Sequence, residues 1–200
     1  MGTEGRWSTY PFWKRAADVL LSAVLLVLLA VPMLFLALLV RIDSEGPAIF
    51  RQTRLGRDLV PFTVLKFRTM RVGAPHDRPS AELSGKERER ALTGVGRVLR
   101  RLSLDELPQL WNVLRGEMSL VGPRPLIPCE IGVHGLRRAL GATTIRPGIT
   151  GLAQISGRDE RSGLEKAYLD GIYAGGMSLG MDLRVLVGTL KAVMTRRGSN

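Results

Sequence analysis

The sequence predicts an α+β protein in which one broken hydrophobic helix ties a small strand-and-helix domain to a membrane. Three observations carry this expectation. Residues 19–40 run 22 positions without a charge, VLLSAVLLVLLAVPMLFLALLV. Two β-leaning stretches around a Gly-containing basic turn follow within 30 residues. The remainder alternates short helical patterns with Pro- and Gly-rich loops, and ends in an amphipathic stripe.

The apolar run is long enough to span a bilayer as one helix. Lys14, Arg15 and Asp18 flank it on one side and Arg41 on the other, and Trp7, Tyr10, Phe12 and Trp13 cluster upstream like an interfacial belt. Its length and the lack of a small-x-small exit argue against a cleaved signal peptide. Pro32 lacks the amide for an i to i−4 bond, so the helix is expected to break there, leaving arms 19–31 and 33–40 that are short for a crossing. Positive charge lies on both sides, with Arg51, Arg54 and Arg57 following Arg41. The positive-inside rule holds both ends in the cytoplasm. A re-entrant helix and a kinked single span both remain open from these residues alone.

Residues 48–50 and 62–67 read as hairpin strands around 55–58. Residues 71–92, rich in Pro, Ser, Gly and charge, read as a mobile surface loop with a short helix toward its end. A basic helix over 95–102 and a short helix at 108–115 closed by Gly116 follow. SLVGPRPLIP, 119–128, is expected to be an extended stiff loop, and 145–158 loop and short strand. In the last segment Leu179, Leu183, Leu186, Leu190 and Val193 form one stripe. Such a stripe packs on the domain or lies on a membrane surface, and packing is the commoner outcome.

Lys and Arg number 29 against 18 Asp and Glu, a net charge of +11, which points to an anionic partner. The single cysteine, Cys129, excludes an internal disulfide, and His76 and His134 are isolated. A Ser-His-Asp hydrolase is therefore poorly supported.

The stretch SLDELPQLWN, 103–112, supports two readings. Ser103 and Glu106 fit a capping box, with Asp105 favourable in a first helical turn. Pro108 argues otherwise: inside a helix capped by Ser103 its ring would clash with the Leu104 carbonyl, whereas proline suits a first helical position. The helix then starts at Pro108 and leaves Asp105 and Glu106 just before it. Arg97, Arg100 and Arg101 stand one or two turns earlier, able to clamp phosphate oxygens. A carboxylate in that field stays ionised and can attack phosphorus, and a second can help hold magnesium. Gly122-Pro123-Arg124-Pro125 fixes one guanidinium between two prolines, either to bind an anion or as a rigid turn. Lys66 and Arg68 alternate on a strand and are expected to share a face.

KRAADVLLS, LKFRTM, SLDELPQLWNVLRGEMSLVGPRPL and RPGITGLAQISGR together resemble the bacterial sugar transferase family, the small monotopic phosphoglycosyl transferases. The likeness runs from about Lys14 to Arg197. It implies transfer of a phosphosugar from a UDP-sugar to polyprenyl (undecaprenyl) phosphate at the cytoplasmic face of the bacterial inner membrane, with UMP released. It implies a re-entrant membrane helix broken at Pro32, with Lys14, Arg15 and Ser22 as further membrane-segment positions. The division becomes a tail at 1–13, the membrane helix at 14–40 and a cytosolic catalytic domain at 41–200. Asp105 matches the nucleophile and Glu106 its acidic partner, both associated with Mg2+. Arg100 matches a phosphate-contacting arginine, and Pro123, Arg124 and Pro125 the nucleotide-side loop. Lys66, Arg68 and Arg158 match basic positions near the site. Partners implied are the UDP-sugar, polyprenyl phosphate, membrane lipids and a second copy of the chain as a homodimer. Val31 departs from the family, where a serine commonly precedes the proline. AGGMSLGMDL, 174–183, departs as well, being glycine-rich where relatives often carry aromatics.

Two other function classes compete. A membrane-tethered nucleic-acid-binding module would use the +11 charge, yet the basic segments lack interleaved aromatics, and no nucleic acid is expected. A non-catalytic anchor would hold anionic lipid through the helix and a basic face.

Overall fold

The computed structural model describes residues 10–74, 85–157 and 162–195. The architecture is α+β, with small sheets among helices. Helices α1 (Tyr10–Leu28) and α2 (Ala30–Asp43) are bent 64° from one another at Leu29. No single helix among the described residues is long and apolar enough to cross a membrane. The break falls three residues before the expected Pro32, which lies in the first turn of α2. The reason is local. Pro32 has no N–H for the Leu28 carbonyl, so the preceding helix ends at Leu28. Leu29 has no side-chain cap, and Val31 brings no hydroxyl to supply one.

Strands β1 (Ile49–Leu55) and β2 (Pro61–Phe67) form the expected antiparallel hairpin, in register Phe50 to Lys66 and Thr53 to Thr63. The first strand is longer than expected, because Arg51, Gln52 and Arg54 pair as strand residues despite their polarity. Helix α3 (Gly85–Ala91) lies at the end of the expected loop, whose residues 75–84 are outside the described ones. Helix α4 (Gly94–Arg101) is capped by Thr93, which accepts from the Gly96 amide. A 3-10 turn at Leu104–Glu106 leads into α5 (Gln109–Arg115), with Pro108 at its N-cap and Gly116 left-handed at its C-cap. The helix thus starts after the acids, as Pro108 implied. Ser103 makes no side-chain cap and takes a left-handed conformation, φ 55°, so the Ser103–Glu106 capping box does not form. A capping box does form at Ser162 and Glu165, at the start of α8 (Gly163–Gly175).

The segment expected to be wholly a stiff loop begins as a strand. β3 (Ser119–Val121) pairs in parallel with β4 (Gly148–Thr150), and α6 (Ile131–Ala139) lies on the crossover between them. Short α7 (Leu152–Ile155) and then α8 and α9 (Leu179–Met194) complete the chain. The core is divided into small clusters. Val40, Phe67 and Leu99 join α2 to β2 and α4; Val64, Val113 and Met118 join β2 to α5; Val121, Tyr173 and Val185 join β3 to α8 and α9.

The expectation that the α9 leucines pack on the domain is overturned for most of the stripe. Leu179, Leu183 and Leu190 are each more than half exposed, and only Leu186 joins the core. The inward face is Asp182, Val185 and Thr189. Asp182 accepts from Tyr10 Oη (2.6 Å), Lys14 Nζ (2.7 Å) and Tyr173 Oη (2.6 Å), and Thr189 meets Thr150 at 2.7 Å. Once Asp182 is satisfied inside, the rotation of α9 puts its leucines outside.

Lys14, Arg15 and Ser22 also face inward. Besides reaching Asp182, Lys14 lies 3.9 Å from Asp18, which accepts from Ser119 Oγ (2.7 Å) and the Leu120 amide (3.2 Å). Arg15 donates to the Val113 and Leu114 carbonyls at the end of α5 (2.7 and 3.1 Å). Ser22 is fully buried. The opposite faces of α1 and α2, with Leu20, Val27, Leu34 and Phe35, are exposed.

Candidate active site

Lys66, Arg100, Asp105, Glu106 and Arg124 come together from four separate elements. Lys66 is the penultimate residue of β2, and the acids sit in the 3-10 turn. Asn112, fully buried on α5, fixes the strand relative to the turn. Its Oδ1 accepts from the Leu65 amide (3.1 Å) and its Nδ2 donates to the Thr63 carbonyl (2.7 Å), so the side chain pairs with β2 as another strand would. Lys66 thereby stands over the turn, with Nζ 2.7 Å from Glu106 Oε1. Arg124 Nη1 lies 3.7 Å from the same oxygen. Arg100 Nε donates to Thr69 Oγ1 at 3.1 Å, near enough for its charge to act on Asp105.

The two carboxylates have different surroundings. Both are buried. Glu106 is anchored by the Lys66 ammonium. Asp105 makes no side-chain hydrogen bond or ion pair among the described residues, although Lys66, Arg100 and Arg124 act on it through space. Burial pushes the Asp105 carboxyl above the ordinary carboxylate range; Lys66 opposes this and Glu106 adds to it. Burial likewise pushes the Lys66 ammonium down, opposed by Glu106. The arrangement gives one fixed acid and one unengaged acid, within a ring of cations suited to phosphate.

Hard carboxylate oxygens are the donors that magnesium takes, usually one or two of them plus phosphates and waters. Asp105 and Glu106 fit that requirement. No group of three or more candidate ligands occurs among the described residues, so those residues by themselves offer no closed metal cage.

The loop carrying Arg124 is held throughout. Pro123 and Pro125 are buried on either side of it. Gly122 and Gly148 approach so closely that a Cβ on Gly148 would lie 2.1 Å from the Gly122 nitrogen. The Gly148 amide donates to the Pro123 carbonyl and the Gly122 amide to the Thr150 carbonyl, both at 2.8 Å.

Arg68 does not join this group. β2 ends at Phe67, and the Arg68 guanidinium turns away, donating to the carbonyls of Val40, Ser44, Glu45, Gly46 and Pro47. It closes the end of α2, so the shared face expected for Lys66 and Arg68 is not formed. Arg158 lies outside the described residues, as does His76. His134 is buried, with Nε2 3.0 Å from the Ile127 carbonyl, a packing role as expected. Asn112, Arg137 and Asp170 carried no site role in the sequence, and Arg54 counted only as positive charge flanking the apolar run. An asparagine inside the apolar run LPQLWNVL was the available signal for the first.

Comparison with known proteins gives this geometry a family. The model of the bacterial sugar transferases matches residues 9–196. The chain belongs to that family. Among its relatives, a UDP-glucose:undecaprenyl-phosphate glucose-1-phosphate transferase of Caulobacter vibrioides is 42% identical over 191 residues, covering 91% of this chain and 70% of the relative. The sugar transferase EpsL of Bacillus subtilis is 40% identical, covering 92% and 89%. The exopolysaccharide production protein ExoY of Rhizobium meliloti is 37% identical, covering 93% and 87%. The transferase keeps its unengaged acid, its anchored acid and its braced arginine in one small site.

Proposed function

We propose that this transferase moves a sugar 1-phosphate from a UDP-sugar to undecaprenyl phosphate, releasing UMP, as an initiating step of exopolysaccharide or related glycan assembly. The names of the relatives support the substrates and the pathway class. The observation that carries the chemistry is the contrast between unengaged Asp105 and Lys66-anchored Glu106.

The proposed reaction has two displacements. An Asp105 oxygen attacks the β-phosphorus, an O–P bond forms, and the bridging bond to the α-phosphate breaks with UMP leaving. A phosphate oxygen of undecaprenyl phosphate then attacks the same phosphorus and frees Asp105. Splitting the transfer in this way replaces one hard step by two easier ones. Lys66 keeps Glu106 in place and its charge favours the ionised Asp105. Arg124 and Arg100 offset phosphate charge, the dominant contribution in phosphoryl transfer. Asp105 and Glu106 would hold a magnesium ion, which supplies further neutralisation of the diphosphate.

Membrane attachment at the cytoplasmic face is part of the proposal. Both ends of the α1–α2 pair are fastened to the same body: Lys14 and Arg15 to α9 and α5, and the end of α2 to Arg68. From Val19 to Leu28 is about 15 Å of helix, half of a hydrocarbon core. A re-entrant course through one leaflet, with the prenyl tail along its exposed apolar face, agrees with both facts. UMP release from a panel of UDP-sugars, with and without undecaprenyl phosphate, tests the function. Asp105→Asn should lower it by roughly 10³-fold or more.

A further inference from the structure

The loop after β3 is rich in proline and so poor in amide donors that could brace it internally. Yet five consecutive carbonyls of it are bonded. Pro123 accepts from the Gly148 amide (2.8 Å), Leu126 from the Leu55 amide (3.0 Å) and Ile127 from the Glu130 amide (3.1 Å). The two in the middle are taken by side chains. Arg137 Nη1 donates to the Arg124 carbonyl at 2.7 Å, and Arg54 Nη1 to the Pro125 carbonyl at 3.1 Å. These guanidiniums come from α6 and β1, on elements that carry neither acid.

Each guanidinium is itself fixed. Arg137 is buried, and its Nη2 pairs with Asp170 of α8, which is 1% exposed. Arg54 places Nε and Nη2 on Gln52 Oε1 at 2.9 and 2.6 Å. Holding a peptide carbonyl does not require a charge. Burying Arg137 and partly burying Arg54 beside Arg124 is costly, since like charges repel and desolvation disfavours both. A planar fork nonetheless spans two acceptors in fixed directions, which an ammonium cannot.

We propose that Arg137, held by Asp170, and Arg54 are positioning residues that grip the Arg124 and Pro125 carbonyls and thereby aim the Arg124 side chain at the Glu106 end of the site. This rests on the function proposed above. Neither guanidinium touches substrate; both act through Arg124.

A double-mutant cycle on the full chain in detergent tests it, with kcat and KM for UMP release read at saturating undecaprenyl phosphate. Arg137→Met should lower kcat/KM by about ten- to a hundredfold, the scale of a misplaced catalytic group. In an Arg124→Ala background the same substitution should cost less than about threefold, because its route of action is gone. Arg137→Lys keeps the charge beside Asp170 and guards against an unfolded Met variant; it should show the same dependence on Arg124. A structural role alone gives the opposite pattern: equal loss in both backgrounds, following the loss in melting temperature. That result overturns the proposal, as does an Arg137→Lys enzyme of wild-type kcat/KM. A wild type that releases no UMP from any UDP-sugar would sink the functional reading and this inference with it, whereas an active wild type with equal factors sinks this inference alone.

Discussion

Removing the Lys66 ammonium probes how the site keeps two adjacent acids buried. Nζ lies 2.7 Å from Glu106 Oε1, and the side chains are 18% and 11% exposed. At an effective dielectric of about 20, that separation corresponds to an attraction of about 6 kcal/mol. Losing the lysine also removes the cost of burying it, several kcal/mol for an ion in a protein. The net loss for Lys66→Met should be about 3 kcal/mol, at the low end for breaking a buried pair because some solvent remains. The double variant Lys66→Met/Glu106→Gln removes both charges of the pair and should recover to within about 1 kcal/mol of wild type, since Glu106 no longer carries a stranded charge and Asp105 can take a proton. Activity should not recover. Asp105 loses the largest attraction that favours its ionised form, so its carboxyl rises further. A nucleophile must be ionised, so the acid limb of the UMP-release profile moves to higher pH in Lys66→Met, and moves less in the double variant, where Glu106 no longer pushes Asp105 up. Chemical unfolding in detergent and rates across pH 5–8 measure the two effects. A double variant as unstable as the single, or an unmoved acid limb, would refute the reasoning.

Arg68→Met should orphan carbonyls at the end of α2 and cost about 2–4 kcal/mol, seen as a melting temperature roughly 5–10 °C lower. Gly148→Ala would press a Cβ onto the Gly122 backbone. It should abolish activity with a stability loss of at least about 2 kcal/mol, measured by melting and UMP release. Asp170 gives a pH dependence whose sign follows from burial. Its carboxyl is pushed up to about 6 from 3.8 in spite of Arg137, so the folded chain retains a proton that the unfolded chain loses between those values. The group's ionisation opposes folding above pH 6, and that cost disappears as pH falls toward 4. The stability of wild type relative to Asp170→Asn should therefore increase from pH 7 to pH 5, as read by paired urea titrations.

The sequence made the hairpin, the broken apolar pair and the late start of α5 legible because each follows from local rules. A β-leaning stretch beside a Gly-containing turn marked β2, and the missing amide of Pro32 and the ring of Pro108 placed two boundaries within a few residues. What was not legible depends on partners far along the chain. The leucines of α9 looked like a core stripe, but Asp182 meets Tyr10 and Lys14 across more than 160 positions and turns that face outward. Charge misled in the same way. A net +11 suggests a basic surface, yet Arg15, Arg54, Arg68, Arg137 and Arg146 all donate to backbone carbonyls. Spacing put Lys66 and Arg68 on one face, and the end of β2 at Phe67 separated them. The acids were found by their position before Pro108; that one is anchored and the other unengaged is visible only in three dimensions.

In the proposed mechanism Asp105 carries the sugar phosphate between donor and acceptor. Incubating the full chain with a UDP-sugar labelled in the β-phosphate, without undecaprenyl phosphate, tests it most directly. Near-stoichiometric UMP release, a label bound covalently to the peptide containing Asp105, and loss of both in Asp105→Asn are expected. UMP release that requires undecaprenyl phosphate, with no label on the chain, would contradict it.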